Sequence, residues 1–148
     1  MTTTPTYSES IDTAYALLAE GERQIAAGQH REGSASVYQA AFTALRAVAK
    51  SRGWICETYE DAHDVIYRLD GVEPPPESVV EMIKRAFETV DDPLPVYSLL
   101  FTTVYCFKHH SRTKSPDGSL PTTFWEPEDY IKSLPLVRKF IDLLASEE

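Results

Sequence analysis

The sequence predicts an all-α protein, an up-and-down bundle of five to six helices. Three observations carry this expectation. Apolar residues recur at three- and four-residue spacing along most of the chain. Glycines stand where the periodic stretches stop, at Gly28, Gly53 and Gly71. Helix-opening pairs, Thr58 with Asp61 and Thr123 with Glu126, precede two of the apolar runs. With 148 residues, one domain is expected, large enough to bury a core without disulfide or metal staples. The polar stretch 1–9 reads as a flexible N-terminus and residues 10–148 as the bundle.

The first helix is predicted from Ser10 to Ala27, with Ile11, Ala14, Tyr15, Leu18 and Ile25 on one face. Gly28 ends it, because glycine enters the left-handed region without steric cost. A second helix follows over 30–51, with the stripe Ser34, Tyr38, Ala41, Phe42, Leu45, Val48 and Ala49. Its many small residues let a neighbour approach closely, so a central position is expected. Arg46, Lys50 and Arg52 sit at its C-terminal end, where the helix dipole favours cations. The third helix starts after Thr58 and buries Ala62, Val65, Ile66 and Leu69. Glu73-Pro74-Pro75-Pro76 breaks the chain, and a fourth helix is expected over 76–89. Asp91-Asp92-Pro93 opens a fifth, whose residues from Leu94 to Phe107 are apolar nearly all round, which predicts burial on several sides. Residues 109–123 form the one long loop, with Ser115-Pro116-Asp117-Gly118 as its turn. A sixth helix runs towards Leu144, and Pro135 should kink it or split it in two.

Composition removes several functions. Residues 57–92 contain eleven acids and three bases, and so carry eight of the nine excess negative charges. An acidic chain lacks the positive footprint that phosphate backbones demand, which argues against direct nucleic-acid binding. Bases collect at Arg46, Lys50 and Arg52 and again at Lys108, Arg112 and Lys114, so the molecule is expected to be bipolar. Cys56 and Cys106 lack a Cys-x-x-Cys spacing and read as reduced, buried thiols. Neither a leader pattern nor an uncharged run of membrane-spanning length is present, so a cytoplasmic protein with no membrane association is expected.

Catalytic motifs are missing. There is no phosphate-cradling glycine loop and no nucleophile elbow. Glu60 and His63 form a single Glu-x-x-His, where a di-iron bundle needs two with further carboxylates. Cys106 with His109 is half of a zinc site at most. No metal and no cofactor are expected. The segment after the fifth helix is the candidate ligand site. There His109, His110, Arg112 and Lys114 combine histidines and cations on a loop, and Trp125 arrives just behind to wall a pocket or staple the next helix.

The stretches Ala16-Leu17-Leu18-Ala19-Glu20-Gly21, Ala27-Gly28-Gln29, Ala35 to Ala41 and Leu45 to Trp54 resemble a family of small archaeal proteins that occur as paralogous repeats in hyperthermophiles. That family is related to the HEPN superfamily of helical bundles. The resemblance covers about residues 11–70 and is weaker beyond. HEPN ribonucleases carry an Arg and a His separated by four to six intervening residues near their penultimate long helix. Here Arg23 and His30 have such a spacing but fall at the first helix turn. No arginine stands just upstream of His109 and His110. The resemblance thus implies a non-catalytic, homodimeric HEPN-like bundle. It would bind a nucleotide-like ligand or a protein, the partner implied being a minimal nucleotidyltransferase. Two other readings stand beside it. Gly21, Gly28, Tyr38 and Ala40 also fit a degenerate tetratricopeptide unit, a scaffold, although no second copy follows at a fixed period. An enzyme of unfamiliar type would have to use the His109–Lys114 region.

Overall fold

A computed structural model of the chain describes residues 5–71, 80, 96–110 and 126–147. They form an all-helical, up-and-down arrangement: α1 (Tyr7–Ala26), α2 (His30–Ser51), α3 (Tyr59–Leu69), α4 (Val96–His110) and α5 (Pro127–Ala145). The fourth expected helix, over 76–89, and the Asp91-Asp92-Pro93 opening lie outside the described residues.

α1 starts at Tyr7, three residues before the expected Ser10. Thr6 supplies the reason: it is the N-cap, and its hydroxyl accepts from the Glu9 amide at 3.1 Å. Residues 7–9 of the expected flexible N-terminus are therefore helical, and the Tyr7 hydroxyl donates to the Leu144 carbonyl. Both stops on the first hairpin follow the sequence. Gly28 has φ +85°, Gln29 N–H reaches Gln24 O at 2.8 Å, and Gly28 N–H reaches Ile25 O at 3.0 Å. At the end of α2, Gly53 has φ +75° and Trp54 N–H reaches Ala49 O at 2.8 Å. Each is a Schellman closure that satisfies carbonyls left over at a helix end.

The α1–α2 pair is joined backbone to backbone. A Cβ built on Gly21 would stand 2.6 Å from Val37 Cγ2 and 3.0 Å from the Gly33 carbonyl oxygen. One built on Gly33 would stand 2.5 Å from Ile25 Cγ1 and 2.9 Å from the Gly21 carbonyl oxygen. The expected central position of α2 holds, since it packs against all four other helices. Its buried surface is wider than the predicted stripe and adds Val37, Ala40 and Ala44. Ser34 is also fully buried, and its hydroxyl has no hydrogen-bond partner in the structure.

α5 closes the bundle antiparallel to α1. The Tyr15 hydroxyl donates to Asp142, and Arg138 pairs with Glu22 at 2.6 Å. Of the two outcomes expected at Pro135, a split does not occur: the helix is continuous from Pro127 to Ala145. Pro135 and Ile131, whose carbonyl loses its partner to the proline, are both exposed, so water can serve that carbonyl. The cap is Glu126 rather than Thr123: Glu126 N–H donates to Asp129 Oδ2 at 2.8 Å, which puts Pro127 at the first helical position. The Thr58–Asp61 box on α3 forms as expected, Thr58 Oγ1 accepting from Asp61 N–H at 3.1 Å. α4 buries Tyr97, Leu100, Phe101, Val104 and Phe107 but exposes Leu99 and Tyr105, so it is less enclosed than its composition implies. Its first turn is held by Asp70 from the end of α3, which accepts from the amides of Tyr97 (2.9 Å) and Ser98 (2.8 Å).

Replacing Gly21 or Gly33 with Ala is expected to cost about 1–2 kcal/mol. Overpacking costs about 1–3 kcal/mol, and the better helix propensity of alanine offsets up to about 1 kcal/mol. Ser34→Ala should act oppositely and add about 0.5–1 kcal/mol, because it removes a buried hydroxyl without a partner. Urea denaturation midpoints measure both; a stabilised Gly33→Ala would contradict the close approach.

Candidate ligand groove at the end of α2

Because α2 runs antiparallel to α1, its C-terminal turn lies beside the start of α1. The chain then leaves through Gly53 and crosses as Trp54-Ile55-Cys56 to α3. These three segments enclose an open groove with a cavity volume of about 590 Å³. Arg46 and Lys50 line it from α2, four residues apart and so on one face of the helix. Thr43 and Ala47 share that wall, Ser10 faces it from α1, and Ile55, 73% exposed, forms the outer lip. Glu57 is the one acid in the described lining.

Neither Arg46 nor Lys50 makes an ion pair among the described residues. Arg46 lies 5.9 Å from the Phe42 ring centroid. The neighbouring arginines are already engaged: Arg52 and Arg68 each lie 5.4 Å from the Trp54 ring centroid. Arg52 also pairs with Glu147, whose carboxylate accepts from the Tyr97 hydroxyl. Trp54 is thus an anchor between cations at the groove rim. Cys56, buried at the groove wall, has its thiol pushed up to about 11 by burial, against the pull of Arg46 and with a push from Asp61. It is a neutral thiol at neutral pH, not a nucleophile.

The residues expected to bind ligand fall elsewhere. His109 and His110 are the last two residues of α4. Arg112, Lys114 and Trp125 lie outside the described residues. Among the described residues no group of three or more His, Cys, Asp or Glu side chains comes together as a metal site would. His63 of the single Glu-x-x-His is half-buried and packs edge-on against Tyr59 (4.6 Å between centroids) and Phe101 (5.5 Å). Burial lowers its basicity, Asp64 and Glu60 raise it, and Lys108 lowers it, for a net shift below the usual imidazole value. Arg23 forks onto Glu20, and His30 stacks on Tyr130 with centroids 4.5 Å apart. The residues of that Arg-His spacing therefore each serve another contact.

Reading along the chain missed the groove. Along the chain, Arg46 and Lys50 read as complements to the helix dipole, and Trp54 as part of a family likeness. The available signal is a pair of cations at i and i+4 followed, past a glycine stop, by the large apolar pair Trp54-Ile55, of which Ile55 is exposed. No helix among the described residues is long and apolar enough to cross a membrane. Compared with protein-family models, with curated proteins and with solved structures, the chain finds no match.

The titrations give a stability profile that can be checked. The lowered His63 value means the unfolded chain binds its proton more readily. That contribution is present above the ordinary imidazole range and is lost as pH falls. Cys56 has the opposite sign, its contribution full below about pH 9 and lost as pH rises towards 11. His63→Leu is expected to flatten the acid limb, and Cys56→Ala the alkaline limb, of stability against pH measured by urea denaturation. The Cys56 thiol should also react slowly with a disulfide reagent at pH 8 until the protein is unfolded.

Proposed function

We propose that this chain is a non-catalytic, HEPN-like helical bundle that binds a nucleotide-like anion or a protein partner in the cytoplasm, working as a homodimer or beside a nucleotidyltransferase. The observation that supports binding of an anion is the α2 groove, with two cations on one wall that make no ion pair among the described residues and room for a small ligand. Pockets of about 300–1,000 Å³ accept drug-sized molecules. Support for a non-catalytic role comes from the Arg23 and His30 contacts at the hairpin turn, which hold both side chains in structural work.

A tetratricopeptide-like scaffold is the second reading, favoured by the Gly21–Gly33 approach. That repeat also joins two helices through small residues.

A thermal-shift panel of nucleotides separates the two. Ligand at a hundred times its Kd stabilises by about 2.7 kcal/mol, a rise of several degrees in Tm for a chain of this size. A scaffold shows no shift with any nucleotide. Loss of the shift in Arg46→Gln/Lys50→Gln places the ligand in the groove. Loss only in His110→Ala/Arg112→Ala places it at the end of α4 and removes the support the groove gives. Light scattering on the purified chain tests the dimer: a monomer mass at micromolar concentration would contradict it.

A further inference from the structure

We infer that the α2 groove takes a small phosphate monoester with an apolar or aromatic body. This rests on the anion-binding reading above and narrows it to one phosphate and one kind of body.

The charge count sets the head group. One phosphate monoester carries about −1.5 to −2 at neutral pH, which two cations match. Arg46 offers a planar fork suited to two phosphate oxygens, and Lys50, one turn on, adds a point charge to the same group. The Thr43 and Ser10 hydroxyls on adjacent walls can donate to the remaining oxygen. A triphosphate would bring about twice the negative charge into a groove that already holds Glu57 and whose described lining has only Arg46 and Lys50 as cations. Arg52 is bound to Glu147 and, with Arg68, lies against Trp54.

The rest of the groove sets the body. Phosphate alone fills a small part of about 590 Å³. The lining also includes Ala47 and Ile55, the latter a large apolar side chain left 73% exposed in the same groove as the two cations. Covering such a side chain contributes about 25 cal/mol per Å² of apolar surface removed from water. An apolar or aromatic group attached to the phosphate would lie there, with Glu57 available to accept from a hydroxyl or amine on it.

The test is an NMR amide titration of the full chain with phenyl phosphate, inorganic phosphate, phenol and magnesium-free ATP. Phenyl phosphate is expected to shift the amides of residues 43–57 and the Trp54 indole, and to saturate at about one-tenth of the concentration inorganic phosphate needs. Phenol alone should leave them unmoved. Arg46→Gln and Lys50→Gln should each weaken phenyl phosphate on the order of tenfold, the loss of one charge-assisted contact, with the circular dichroism spectrum unchanged. Ile55→Ser should narrow the gap between phenyl phosphate and phosphate. Tighter saturation by magnesium-free ATP would overturn the single-phosphate head while leaving anion binding intact. Equal saturation by phenyl phosphate and phosphate would overturn the apolar body. No shift at 43–57 with any anion would overturn this inference together with the groove as the site.

Discussion

The rest of the bundle depends on how closely α1 and α2 approach. At Gly21 and Gly33 each helix presents bare backbone to the other, with carbonyl oxygens where a side chain would otherwise stand. This approach sets α2 deep in the molecule, so that its other faces meet α3, α4 and α5. A helix contacted from four directions needs small side chains on several faces. Gly33, Ser34, Ala40, Ala41, Ala44, Ala47 and Ala49 are all buried there. The cost is one buried hydroxyl, Ser34, without a partner.

Around this pair the other helices are tied mainly at their ends. Asp70 fastens the end of α3 to the first turn of α4, satisfying amides that a helix start leaves open. Glu147, just past α5, accepts from Tyr97 of α4 and pairs with Arg52 at the end of α2. Arg52 and Arg68 both meet Trp54. The same contacts build one wall of the groove, because they draw the Trp54 side chain to the rim and leave Arg46 and Lys50 as the cations facing open space. Structural economy at one end of the bundle and the chemistry of the candidate site thus have one origin. Arg52 is spent on an ion pair, while Arg46 and Lys50 line the groove without an acid partner among the described residues.

The fold was legible where the signal is local. Gly28 and Gly53 stop their helices as expected because a left-handed residue is cheap only for glycine. The Thr58–Asp61 box forms because both partners lie within one turn. The misses came from contacts that decide between locally similar options. Thr6 caps α1 early, and Glu126 rather than Thr123 caps α5. The candidate site was less legible. Sequence neighbours drew attention to His109, His110, Arg112, Lys114 and Trp125. The groove instead joins Ser10, Arg46, Lys50 and Ile55 from three separate stretches.

By itself the sequence determined the helical class, the hairpin and its two glycine stops, since these follow from periodicity and backbone preference. Only the tertiary structure decided which cations are free. Arg46, Lys50 and Arg52 read alike along α2, yet Arg52 finds an acid 95 residues away, while Arg46 and Lys50 face a groove. Whether a charge is spent on stability or kept for a ligand depends on what the fold brings within a few ångströms of it. That distance is not written in the order of the residues.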